Sequence, residues 1–196
     1  MTDTLNGCTA SAAVLTMADT ARITAVASAP DTLTCGVLSV LLRATGSSVL
    51  PGLQYTWSTT GGQVLSGADT DAPLVGAPGI YTLLLANPAN GCTAVSSTTV
   101  VENTVAPSVQ IAAPQLLTCS VTNQTLEALN TTPVNALYTW MASNGGNITA
   151  GGNSPSIIVD APGLYTLRIT DPSNACTDTE SVSVSIDTIQ PAAFAA

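Results

Sequence analysis

The chain repeats itself every 84 residues, and that interval decides what it can fold into. Cys8, Cys92 and Cys176 fall on one ladder at this spacing, and Cys35 and Cys119 on a second. Ala77-Pro78-Gly79-Ile80-Tyr81-Thr82-Leu83 returns as Ala161-Pro162-Gly163-Leu164-Tyr165-Thr166-Leu167. Leu33-Thr34-Cys35 returns as Leu117-Thr118-Cys119. Tyr55-Thr56-Trp57 returns as Tyr138-Thr139-Trp140, one residue short, which a deletion with a nearby compensating insertion explains. The register predicts four segments. Residues 1–21 are the C-terminal strands of a preceding repeat, 22–106 a first full repeat, 107–190 a second, and 191–196 the start of another. Domains do not usually begin halfway through their own fold. The segment is therefore expected to be a window on a longer protein, or to complete a neighbour by strand donation at a sheet edge.

Within each repeat, alternation of apolar and polar residues between Gly, Pro and Asn turns predicts short strands. In the first repeat they fall near 22–27, 33–43, 53–59, 63–66, 73–76, 80–86 and 92–101. In the second they fall near 108–112, 117–129, 136–142, 147–149, 156–159, 164–170 and 177–186. No stretch carries a helical period. Six or seven short strands per repeat predict an all-β chain of tandem immunoglobulin-like β-sandwich repeats. Hydrophobic residues make up 45% but aromatics only 4%, so the cores must be built from Val, Leu, Ile and Ala.

Charge narrows the function. Twelve acidic residues face three Arg, with no Lys and no His, for a net charge of −9. Phosphate backbones and anionic membranes need clustered cations, so nucleic acid and polybasic membrane binding are disfavoured. No run of about 18 apolar residues is present to span a bilayer. The opening Met1-Thr2-Asp3-Thr4 carries no signal-peptide features, so an exported form is mature, processed or a fragment. Without His or Lys, the Ser-His-Asp, Cys-His and Ser-Lys sets cannot be assembled, and Lys–Asn isopeptide links are also excluded. The pair Asp69 and Asp71 reads as solvated loop charge. A non-enzyme without cofactor or metal is expected.

The remaining distinctive residues read as structural. Trp57 and Trp140 fall mid-strand, where immunoglobulin-like folds place a core Trp. Tyr81 and Tyr165 follow Pro-Gly at the entry to the penultimate strand. This is the setting of a tyrosine corner, with Gly79 and Gly163 supplying a permissive backbone. Regular cysteines in a Thr/Ser-rich β chain predict disulfides and an oxidising compartment. Two pairings are open. The favoured one joins Cys35 to Cys92 and Cys119 to Cys176 within repeats, leaving Cys8 unpaired or paired outside the window. It has one difficulty: in a standard sandwich these positions lie near opposite poles. The rival joins Cys8 to Cys35 and Cys92 to Cys119, tying neighbours together. Asp19, Asn103 and Asp187 are equivalent positions near repeat junctions. Too few carboxylates surround them for calcium, so a turn role is expected.

Leu-Thr-Cys, Tyr-Thr-Trp, Ala-Pro-Gly-Ile/Leu-Tyr-Thr-Leu and Asn-Gly-Cys-Thr together resemble the immunoglobulin-like, PKD-type repeats of large Bacteroidetes surface proteins. The resemblance covers nearly the whole chain, and the cysteine positions bring it closer to the Bacteroidetes subset. It departs after each Trp, where Ser58-Thr59-Thr60 and Met141-Ala142-Ser143 replace an Asp-rich turn. The resemblance implies secretion, cell-surface display and a part in adhesion, gliding or matrix fibres. It also implies O-glycosylation at Asp-Thr-apolar sites, here Thr4, Thr20, Thr32 and Thr188. The triplets at Asn123, Asn130 and Asn147 would matter only in a eukaryotic secretory route.

The leading expectation is a structural segment of an extracellular fibre, stalk or adhesin, with neighbouring repeats and copies of itself as partners. The alternatives are a ligand- or glycan-binding adhesin module, which needs aromatics at loop tips, and an accessory domain of a secreted enzyme.

Overall fold

The structure, a computed structural model, describes residues 4–15, 17 and 19–189. The segment 191–196, expected to open a further repeat, lies outside them. The first eight strands run β1 (Leu33–Thr34), β2 (Val40–Leu41), β3 (Gln54–Thr60), β4 (Gln63–Ser66), β5 (Leu74–Ala77), β6 (Gly79–Asn87), β7 (Cys92–Val100) and β8 (Glu102–Asn103). Nine follow: β9 (Ser108–Ile111), β10 (Leu117–Thr118), β11 (Gln124–Thr132), β12 (Leu137–Ser143), β13 (Ile148–Ala150), β14 (Ser156–Val159), β15 (Gly163–Thr170), β16 (Thr177–Val184) and β17 (Ile186–Asp187). The architecture is all-β, and no helix among the described residues is long and apolar enough to cross a membrane.

Two sets of sheets carry the same plan. One sheet of the first unit is β3-β6-β7, facing β2-β5-β4; in the second unit β12-β15-β16 faces β13-β14-β11-β9. The period-two pattern explains the packing. In β6, Tyr81, Leu83 and Leu85 are fully buried while Ile80 and Leu84 point outward. In β15, Tyr165, Leu167 and Ile169 do the same. Each unit has its own hydrophobic cluster, one running from Leu33 to Val100 and the other from Val109 to Val184. The registers also coincide: Trp57 lies opposite Leu83, and Trp140 opposite Leu167.

The early strands differ from expectation. Residues 33–43 do not form one strand, nor do 117–129. Thr34 Oγ1 accepts the backbone N–H of Gly36 (3.2 Å) and of Val37 (3.0 Å), turning the chain. Thr118 Oγ1 takes the N–H of Ser120 and Val121 in the same way. The turn lets the chain change sheets. Before it, β1 pairs in parallel with β8 and β10 with β17; after it, β2 joins β5 and β11 joins β14.

The strand expected at 22–27 is absent, because hydroxyls rather than a ladder hold that backbone. Ser48 Oγ accepts the N–H of Thr24, Ser47 Oγ that of Val26 and Ser96 Oγ that of Ala27. Among the described residues the first named strand is β1, at Leu33. Residues 92–100 are a strand because β6 pairs with them along their whole length.

Candidate functional site

The residues singled out in the sequence fall into two groups: supports of each core, and groups gathered where the two units meet. Trp57 and Trp140 are core residues, each about 5% exposed. Their indole N–H groups donate to the carbonyls of Thr70 (2.9 Å) and Ser154 (3.0 Å), so burial leaves neither donor unsatisfied. They offer no face to a ligand. Tyr81 Oη donates to Ala77 O at 2.6 Å and accepts the N–H of Gln63 at 2.9 Å. Tyr165 Oη repeats both bonds, to Ala161 O at 2.6 Å and from Asn147 N at 2.9 Å. Each phenol pins the loop before its own strand to the hairpin of the neighbouring sheet.

The glycines at these corners serve a second purpose beside the one expected. Gly163 has no positive φ, whereas Gly79 sits at φ 157°, a conformation that L side chains rarely adopt. A Cβ on Gly79 would lie under 3 Å from the backbone of Gly62, and one on Gly163 from that of Gly146. Glycine is needed at both corners for close approach of two backbones, and at Gly79 for its dihedral as well.

The cysteines form a pairing that neither sequence alternative contained. Cys35 is bonded to Cys176, 141 residues away, with Cα atoms 5.0 Å apart. Cys8, Cys92 and Cys119 are free thiols. The expected Cys35–Cys92 and Cys119–Cys176 bridges are thus corrected, and the topology gives the reason. Thr34 pairs with Asn103 in the parallel β1–β8 ladder, so Cys35 sits at the exit end of the last strand. Cys92 opens β7, the strand that leads into β8. At ~3.3 Å per residue the two are about 30 Å apart along the sheet, whereas a disulfide tolerates only about 7 Å between Cα atoms. The pole problem is real, and the chain solves it by crossing to the next unit.

Around this bridge the β15–β16 turn of the second unit packs on the exit of the first. Asn174, only 2% exposed, donates from Nδ2 to Asn103 Oδ1 (3.1 Å) and to Val105 O (2.9 Å). Its Oδ1 accepts the N–H of Cys176 at 2.9 Å, so one amide fixes both the linker and the cysteine. Gly36 N donates to Asn174 O at 3.3 Å. A Cβ on Gly36 would stand 2.8 Å from the Cβ of Ala175, so the two turns meet where only glycine fits. Ala175 itself sits at φ 60°, its N–H bonded to Asp171 O. Cys176 is 1% exposed, sealed by this packing. A shallow cavity of about 220 Å³ lies beside it, lined by Val105, Ala106, Pro107, Thr132, Pro133 and Asp171.

The other sequence candidates lie elsewhere. Asp19 and Asp187 close Asx turns, accepting the N–H of Ala21 and Ile189. Asn103 is engaged by Asn174. Among the described residues no group of three or more His, Cys, Asp and Glu gathers to hold a metal. Thr4, Thr20, Thr32 and Thr188 are all exposed. Sequence reading gave Asn174 no role beyond that of a turn residue, although its presence two residues before a ladder cysteine, as at Asn6 and Asn90, was the available signal.

Strand order, the paired tyrosine corners and the buried strand Trp define an immunoglobulin-like β-sandwich. Residues 104–186 match the model of a PKD-like domain, which makes the second unit an immunoglobulin/PKD-type domain. No curated protein matches the chain. Among solved structures, it is similar to three N-terminal domains of the bacteriophage RB49 highly immunogenic outer capsid protein Hoc. There the TM-score is 0.44 at 17% identity, covering 84% of this chain and 59% of that one. Murine CEACAM1b gives 0.37 at 16% identity, covering 85% and 99%. Extracellular domains 3–5 of Drosophila OTK give 0.37 at 15%, covering 85% and 60%.

Proposed function

We propose that this chain is a structural repeat segment of an extracellular fibre, stalk or adhesin, mechanical rather than catalytic, that assembles into filaments. The observation that carries the reading is the Cys35–Cys176 bridge between the two units. A chain of domains joined by a single linker bends freely at each joint, and relative motion is then the default. Here the linker near Val105 and the bridge connect the same two units at one junction, with Asn174 clamped between them. Two covalent connections resist bending where one cannot, which suits a load-bearing or reach-extending array. A disulfide also fits an oxidising, extracellular setting. The exposed Asp-Thr sites, Thr20 and Thr188 above all, suit glycan cover of a surface with few charges, and a bare intact mass from native material would remove that part.

Negative-stain microscopy of the oxidised chain tests the main reading. Particles should show two lobes at one fixed angle, and native-source cells should carry surface fibres that an antibody to the chain labels. Lobes at random angles, or label confined to the cell interior, would defeat it.

A further inference from the structure

The bridge between the two units implies the next one. Cys35 pairs with Cys176, and the 84-residue shift turns those positions into Cys119 and Cys92, both of them free thiols. We propose that Cys119 of one copy of this chain bonds to Cys92 of a second copy seated head to tail, so that the Cys35–Cys176 junction recurs between molecules as a covalent ladder. The inference rests on the structural-array reading above and names its partner.

Three observations carry it. The first is the formed bridge itself, between residues equivalent to the two free thiols. The second is that both halves already stand in bonded geometry. The Cys119 turn repeats the Cys35 turn: Thr118 N donates to Val121 O at 2.9 Å, as Thr34 N does to Val37 O at 2.9 Å. On the other side, Asn90 Oδ1 holds Cys92 N at 3.0 Å, as Asn174 Oδ1 holds Cys176 N. Cys119 is exposed and Cys92 half-buried, whereas Cys176 in the completed junction is sealed.

The third observation is a size exchange across the joint. In the formed junction Gly36 meets Ala175, and a side chain at 36 would collide with it. At the equivalent positions the chain carries Ser120 and Gly91. Ser120 would have no room against an alanine, but Gly91 offers none of that obstruction, and nothing lies within 4 Å of where its Cβ would be. The bulk has moved from one partner to the other, so the pair stays complementary. Seating the second copy brings Asp187 and Ile189 of the first to where its own Asp19 and Ala21 lie, Ala21 O being bonded by Asn90 Nδ2. Both segments carry the same Asx turn, so the exchange replaces like with like.

The chemistry is an oxidation and needs an acceptor. Two thiols lose two protons and two electrons to form one S–S bond, and a small-molecule disulfide such as oxidised glutathione takes them up, leaving as two thiols. Attack of one cysteine thiolate on the mixed disulfide formed at the other completes the transfer.

The test incubates the full chain with oxidised glutathione, followed by non-reducing electrophoresis and mass spectrometry of the linked peptides. A ladder of covalent oligomers joined through Cys119 and Cys92 is expected. Cys119→Ser should abolish it, and Cys8→Ser should leave it intact. Gly91→Ala should slow linking about tenfold, within the range that overpacking a close contact costs. Adding Ser120→Gly should restore the rate by recreating the Gly36–Ala175 arrangement. Rescue of that kind would not follow from damage to folding. Monomer only, links through Cys8, or Cys119–Cys119 links would overturn the proposal. A missing ladder beside two-lobed particles of fixed angle would sink this inference and leave the structural reading standing.

Discussion

Removing the Cys35–Cys176 bridge should weaken both units, not one, and the size of the effect follows from where the bridge is anchored. Cys35 lies next to Asn103, at the exit of the first unit, and Cys176 immediately precedes β16 of the second. If the second unit alone unfolds, the closed loop runs from the linker to Cys176, roughly 70 residues, and its restricted entropy is about 4 kcal/mol at 25 °C. If the first unit alone unfolds, the loop runs from Cys35 to the same linker and is also roughly 70 residues, so the term is again about 4 kcal/mol. A bridge closed within either unit would stabilise that unit only. The double variant Cys35→Ser/Cys176→Ser should therefore lose protection in both. Native-state hydrogen exchange read by mass spectrometry resolves the units separately. Slowly exchanging amides in β6 and β7 and in β15 and β16 should each exchange up to about a thousandfold faster, the equivalent of that energy. Unchanged protection in Gln124–Val184 beside a large loss in Gln54–Val100, or the reverse, would refute the reasoning.

Other consequences can be checked in the oxidised chain. Tyr81→Phe and Tyr165→Phe each delete a buried hydroxyl with two strong partners and orphan a backbone N–H, so each should cost about 1–3 kcal/mol in urea unfolding. A loss under half of that in both would deny the corners their role. Gly163→Ala must force Cβ into the backbone of Gly146 and should destabilise by at least ~2 kcal/mol, as overpacking against rigid backbone does. Gly152→Ala meets nothing within 4 Å and should fall within about 1 kcal/mol of wild type, so equal effects would contradict the packing argument. Asn174→Ala strips the linker and Cys176 of their shared amide and should make the bridge more reducible, measured by its equilibrium with glutathione. An unchanged equilibrium would show the amide to be dispensable.

Much of the architecture could be read from residue order because strands are local statements. The alternation Tyr81, Leu83, Leu85 announces a half-buried strand, and the Pro-Gly before Tyr81 announces a corner. Both depend on residues within a few positions of one another. The breaks within 33–43 and 117–129 were not legible. Whether Thr34 Oγ1 folds back on its own backbone depends on a parallel partner, β8, that lies almost seventy residues downstream. The disulfide was hidden for the same reason at longer range. Spacing within a repeat makes Cys35 and Cys92 look like partners, since it records order and not poles. Only the parallel β1–β8 ladder puts Cys35 at the exit of the unit, and only then is the next unit its neighbour. The role of Asn174 beyond its turn was overlooked because its work is done on Asn103 and Val105, across a junction no local pattern describes.

The position of the cysteines then says something about where such an array keeps its strength. Each repeat carries one cysteine at its exit pole and one at its entry pole, and an internal bridge would use both while leaving every linker a free hinge. Crossing to the neighbour instead spends the same two residues on the joint. Each unit then already owns a satisfied core, with its Trp and Tyr polar atoms bonded and no buried side-chain polar atom among the described residues lacking a partner. Such a core gains less from a bridge than a joint does, because the joint is otherwise held by one linker and a few hydrogen bonds. Coupling also has a cost: a unit that borrows stability through its joint feels damage in the next, so a core lesson such as Gly163→Ala should lower protection in the first unit only while Cys35 remains bonded to Cys176.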